Sequence, residues 1–251
     1  MNPDILNEIK AGYCERTVFV TAGDAGNGIA YYLSRQDGSE AAYAEMTGMK
    51  DLWSQETVQI VPNEYVTFAS LEGDPKITLV FMHLPDGGLQ EQGFKAYNFQ
   101  SIDKLYAGSI NKITTVGGQS VYTLNSLETA LTNLMLFFSP SEIRTQSTYN
   151  GGSDRIKDHP DHNTVGRLVT ITAKNYNQNQ YANLTTIPVK YYEGYPIRDN
   201  PVNLSGTELT EKEAAYLAYT PYDGSTCATL SICQSIPTYW GYLQRQYTLP
   251  Y

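Results

Sequence analysis

Four consecutive residues, His159-Pro160-Asp161-His162, hold two of the chain's three histidines, and the acids Asp158 and Asp161 flank them. Imidazole and carboxylate packed this closely suit metal ligation with a carboxylate orienting the ligand from behind, or acid–base work beside a metal. The plainer alternative is a polar turn in which Pro160 ends one element and Asp161 caps the helix that follows. The third histidine, His83, stands at a strand end three residues before Asp86. It either lines the same site or is a solvent-facing or hydrogen-bonded strand-end side chain.

Elements that would position these residues follow from the pattern. Residues 3 to 11 read as a helix with Ile5, Leu6 and Ile9 on one face and Gly12 beyond its end. Thr17 to Thr21, Gln59 to Val61 and Lys76 to Met82 read as strands, the last a buried apolar run closed by Pro85-Asp86-Gly87-Gly88. A helix is expected from Tyr31 to Met46, interrupted near Gly38. Leu124 to Phe138 is an amphipathic helix with Leu127, Leu131, Leu134 and Phe138 on one face, stopped by Pro140. A short strand at Glu142 to Gln146 precedes the His-Pro-Asp-His segment, and a helix follows from Asp161 to about Lys174. Strand–helix alternation of this kind predicts an open parallel α/β sheet. Beyond Lys174 a polar tract, residues 175 to 183, reads as a loop. A strand at Ile187 to Tyr192 and a short helix at Thr210 to Tyr219, capped by Thr210, come after it.

Four motifs occur in order: strand–Gly23-Asp24-Ala25-Gly26, Arg35 followed by Glu40 and the helix to Gly48, Leu84-Pro85-Asp86-Gly87, and His159-Pro160-Asp161-His162. In this order they resemble the zinc-dependent de-N-acetylases of the PIG-L/LmbE type, which include the GlcNAc-phosphatidylinositol and mycothiol-pathway deacetylases; the likeness covers roughly residues 3 to 170 and is greatest to fungal and actinobacterial members. The resemblance implies a Rossmann-like open, mainly parallel sheet with helices on both faces over residues 1–174. A β-rich, Tyr-rich C-terminal extension, 175–251, would pack on it. It implies Zn2+ as cofactor, with His162 as a metal ligand, His159 as electrostatic stabiliser and general acid, and Asp161 as the partner that tunes His159. Arg35 and Asp86 would hold an amino-sugar or glycolipid substrate. Asp24 would bond sugar hydroxyls or serve as a turn acid. The family's opening strand, ending in Ala-His-Pro-Asp-Asp, supplies two metal ligands and the general base, and no such motif stands here. The expectation is therefore an N-terminally truncated deacetylase lacking its first strand, inactive as written. The alternatives are a carbohydrate-binding protein on the same fold, or a fragment without folded function.

Composition narrows the partners. The 251 residues carry a formal net charge of −9, and no Lys/Arg cluster offers a phosphate-binding surface, which argues against nucleic acid. No apolar run is long enough to span a bilayer; the longest, Leu131 to Phe138, is broken by Thr132 and Asn133. Cys227 and Cys233 flank a short loop and could pair, leaving Cys14 as a buried free thiol. With the sequons at Asn183 and Asn203 they favour a secreted protein over one associated with the endoplasmic reticulum membrane.

Overall fold

The computed structural model describes residues 1–151, 156–179 and 186–250. Its centre is a strand of eight buried residues, Ile77–Leu84 (β4). Alternate side chains leave such a strand on opposite faces. Val80, Met82 and Leu84 enter one apolar layer, and Ile77, Leu79 and Phe81 enter another. β4 pairs in parallel with Glu15–Thr21 (β1), with Phe19 opposite Phe81. On its other side it pairs antiparallel with Glu64–Leu71 (β3), which forms a hairpin with Trp53–Val61 (β2). The sheet order is β1-β4-β3-β2. The sheet is thus mixed, and the expectation of a mainly parallel sheet is corrected. The first half of β2 escaped prediction because it exposes most of its residues and so lacks an apolar alternation, and β3, though largely buried, was not anticipated either.

Helices cover both faces, as expected. Asp4–Lys10 (α1) and Ile29–Thr47 (α2) close one face through Ile5, Tyr43 and Ala44. Ile102–Tyr106 (α3), Leu124–Phe138 (α4) and Pro160–Asn179 (α5) close the other through residues such as Leu105, Leu131 and Leu168. A small hairpin of Ile113–Thr114 (β5) and Val121–Tyr122 (β6) borders this layer. Thr123 caps α4, accepting from the Ser126 N–H while the Ser126 hydroxyl accepts in return from the Thr123 N–H. A second sheet joins Ile143–Gln146 (β7) in parallel to Val189–Tyr192 (β8), and β8 antiparallel to Thr248–Leu249 (β9).

Several boundaries differ from expectation. α2 is continuous through Gly38. A Cβ there would lie 2.8 Å from the Tyr219 ring and 2.9 Å from Tyr222 Cβ, so the glycine permits close packing rather than a kink. α5 runs through Lys174 to Asn179, so the first part of the tract expected as a loop is helical, and the rest of it, residues 180 to 183, lies outside the described residues. The last third of the chain is mainly helical, not β-rich. It contains Gly206–Tyr219 (α6), Leu230–Ser235 (α7) and Pro237–Leu243 (α8). Thr210 lies within α6, donating to the Gly206 carbonyl, and Ser205 occupies the capping position. Cys227 and Cys233 form a disulfide in a small apolar cluster with Trp240 and Leu243. Cys14 is exposed, in the turn before β1, where no apolar layer reaches it. Asn203 is exposed, whereas Asn183 lies outside the described residues. Among the described residues no helix is long and apolar enough to cross a membrane.

Between α2 and β2 the Glu40 carboxylate accepts from Gln36 (3.3 Å) and Gln55 (2.8 Å). Burial pushes its pKa from 4.5 up to about 7. The folded state therefore holds the proton more tightly than the unfolded chain. Its stabilising effect is complete below about pH 4.5 and is lost as pH rises through about 7. Glu40→Gln is expected to raise stability by on the order of 2 kcal/mol at alkaline pH and not at all at acid pH. Melting curves of both proteins across that range check this; an equal shift at both ends would contradict it.

Candidate metal centre

The site begins where the chain enters α5. His159 is the last residue before the helix, and its Nδ1 accepts the Asp161 backbone N–H at 3.2 Å, capping the first turn. Just upstream, Asp158 is buried. Its Oδ1 accepts from the His159 N–H (2.8 Å), the Tyr195 N–H (2.9 Å) and His162 Nδ1 (2.8 Å). Burial alone would raise this carboxyl, but the hydrogen bonds led by His162 outweigh it and hold it below its ordinary value.

These contacts separate the two imidazoles. A carboxylate can only accept, so His162 carries its proton on Nδ1 and leaves the Nε2 lone pair free. His159 accepts at Nδ1, so its neutral form carries the proton on Nε2, 3.5 Å from Asp86 Oδ1. Burial lowers the His159 pKa, with Asp86 opposing the shift, which favours that neutral form. The rings lie 5.5 Å apart.

Asp161 points from the first turn of α5 toward the loop after β4. Its Oδ2 accepts the Gly87 N–H at 3.1 Å, and a Cβ on Gly87 would lie 2.6 Å from Oδ1, so only glycine allows this approach. Burial, with Asp86, Asp103 and Asp24 adding to it, pushes Asp161 up to about 8. A carboxyl held this way is stabilised by a proton or a cation. Asp161 Oδ1 and Asp158 Oδ2 are both buried without a hydrogen-bond partner among the described residues. Asp86, His159 and Asp161 each bring one donor atom to within 4.8 Å of the others, and this buried group can hold a metal ion. Two carboxylates and an imidazole suit several divalent ions and do not select one.

The other expected site residues divide. Asp86, His159 and Asp161 come together, and the His162 ring stands beside that of His159 without being one of the three donors. Asp24 is fully buried, with both oxygens bound to backbone N–H groups, Gly26 at 2.8 Å and Asp86 at 2.9 Å. It holds the Asp86 loop in place from a fully buried position. Arg35 faces the C-terminal helices: Nε donates to Tyr219 OH at 2.7 Å and lies 3.2 Å from Asp223 Oδ2, and a further nitrogen donates to the Gly23 carbonyl. His83 is buried away from this group, 3.0 Å from Gln36 Oε1 and beside the Tyr32 ring, and burial lowers its pKa to about 4. The hydrogen-bonded reading of that residue holds.

Three contributors were not anticipated. Asp158 was noted only as a neighbouring acid, although its spacing four residues before His162 on a helix start was legible. Tyr195 stands edge-on to the His162 ring at 5.1 Å and stacks on Tyr242 at 5.5 Å. Arg35, His162, Tyr195, Tyr219 and Tyr242 all line one cavity of about 2070 Å³. Compared with protein-family models, curated proteins and solved structures, the chain matches none.

Adding Zn2+ or Mn2+ at about 100 times its dissociation constant is expected to stabilise the protein by about 2.7 kcal/mol, a rise of several degrees in Tm that EDTA reverses. Asp161→Asn or Asp86→Asn should remove most of that rise. An undiminished rise in both variants would place the cation elsewhere.

Proposed function

We propose that this site is the core of a metal-dependent hydrolase that removes the N-acetyl group from an N-acetylglucosamine-containing substrate. The observation that carries the reading is the division between the histidines: one imidazole offers a free lone pair and its neighbour offers a proton, side by side above two buried carboxylates. That pairing suits amide hydrolysis, because the carbonyl must be polarised and the developing oxyanion must be stabilised. The order of the four motifs, which resembles that of the zinc-dependent de-N-acetylases, supports the same chemistry.

Of the group that can hold an ion, Asp86 and Asp161 would be its carboxylates; His159 would join them only by giving up its Nδ1 hydrogen bond, so this reading assigns the imidazole to His162, whose Nε2 lone pair is open. A bound divalent cation would polarise the acetamide carbonyl and acidify a water molecule. His159 keeps its Nε2 proton facing the site, where it would donate a hydrogen bond to the developing oxyanion. Asp161 lies 3.8 Å from His159 Nδ1 and Asp86 lies on the Nε2 side, so the two acids orient that ring. The Tyr195 ring, backed by Tyr242, presents an apolar face with polar edges, a surface suited to a pyranose.

The stacked tyrosines also favour a second reading, a carbohydrate-binding protein without turnover. The test is release of acetate from N-acetylglucosamine oligomers under single-turnover conditions. Metal-dependent release that falls by about 10²–10³-fold in His159→Ala is expected. Sugar binding that survives EDTA, with no acetate released at any metal concentration, would reject hydrolysis and support binding alone.

A further inference from the structure

Three elements converge on His83, near the end of β4. Strand alternation puts its ring on the α2 face of the sheet, stacked on Phe81 at 6.0 Å and 4.9 Å from the Tyr32 ring of α2. The β5–β6 turn reaches it through the Val116 N–H, which donates to the His83 carbonyl at 2.9 Å. The β2–β3 hairpin brings Thr57, opposite Thr67, and Tyr65. Together with His83, Thr115 and Gln119 these residues line a second cavity, of about 380 Å³. It shares no lining residue with the large cavity beside the histidines of α5.

One nitrogen of His83 is already committed. Glu40 Oε1 accepts from the amide nitrogens of both Gln36 and Gln55, so Gln36 turns its Oε1 toward His83. A carbonyl oxygen only accepts, so the His83 proton sits on Nε2 and Nδ1 is a lone pair. Burial favours the neutral ring. Among the described residues Nδ1 has no hydrogen-bond partner, and it is not one of the unpaired polar atoms sealed from solvent. A buried chain from Glu40 through Gln36 thus fixes an imidazole acceptor in the cavity wall.

The rest of the wall is neutral. The hydroxyls of Thr57, Thr67 and Tyr65 and the Gln119 amide have no hydrogen-bond partner among the described residues, while Thr115 Oγ1 is bound to Ser120. No lining residue carries a charge, so neither an anion nor a cation would find a counter-ion there. Free hydroxyls, an amide, an imidazole acceptor and a tyrosine ring suit a neutral, polyhydroxylated molecule. The volume is at the low end of the roughly 300–1,000 Å³ of ligand pockets, room for one sugar ring and not for an oligomer.

We infer that this cavity is a second site, binding one neutral pyranose that donates a hydroxyl to His83 Nδ1 and bonds others to Thr57, Thr67 and Gln119. The site stands on the tautomer of His83 and the lining of this cavity. It does not depend on the chemistry assigned to the histidines of α5.

The probes are the methyl β-D-glycosides of glucose, galactose and mannose, each titrated into the 251-residue protein in EDTA. The imidazole and backbone 1H–15N spectra are read. At least one glycoside is expected to shift His83 Nδ1 and the amides of Thr57, Thr67 and Gln119, with a Kd on the order of 1–10 mM. Thr57→Val and Gln119→Ala change exposed positions and should each weaken that binding about two- to tenfold. Glycerol at the same concentration should leave His83 unmoved. Shifts confined to His159 and His162 would place the sugar at the metal centre and overturn the proposal. So would no shift at all, an equal shift with glycerol, undiminished affinity in both variants, or a His83 proton on Nδ1 in the free protein.

Discussion

Asp158 is the group on which the rest of the site depends. One of its oxygens, buried, gathers the N–H groups of His159 and Tyr195 and the Nδ1 of His162. A buried carboxylate is costly unless satisfied, so the segment before α5, the first turn of α5 and the loop after β8 must meet at this point. The same bonds decide the chemistry. With Nδ1 of His162 committed, its Nε2 is left as a lone pair. With the backbone turned so that the Asp161 N–H caps onto His159, the other ring keeps a proton. A single carboxylate thereby gives two adjacent imidazoles opposite characters.

Around that point the fold works as a set of clamps. Asp24 fixes the loop after β4 by accepting the Asp86 N–H, and Gly87 lets the same loop close on Asp161. Arg35 ties α2 and the Gly-rich turn after β1 to the helical C-terminal region through Tyr219 and Asp223. The C-terminal region is part of the site because Tyr195 and Tyr242 form one of its walls. What the fold does not do is join its two sheets.

Legibility in the sequence followed the range of the interactions. α4 was readable to the residue, because its leucines repeat at helical spacing and Pro140 ends it. β4 was readable from an unbroken apolar run. α2 was misjudged at Gly38 because the reason for that glycine is two tyrosines about 180 residues away. The C-terminal region was misjudged because tyrosine has high strand propensity in isolation, whereas here Tyr216 and Tyr219 pack from a helix against α2 and a disulfide-bound cluster. In the site, His159, Asp161 and His162 were legible as neighbours in sequence. Tyr195 and Asp223 were not, since only the folded chain brings them to that place. Asp24 was legible as a site acid or a turn acid, and in the structure it is fully buried with backbone N–H groups of Gly26 and Asp86 on its oxygens.

The most direct measurement is the long-range imidazole 1H–15N spectrum of the protein, before and after adding Zn2+. The account predicts that the metal-free protein has the proton of His162 on Nδ1 and that of His159 on Nε2. It also predicts that zinc shifts His162 Nε2 while His159 keeps its proton. Loss of the His159 Nε2 proton on metal addition, with the His162 signals unmoved, would contradict it.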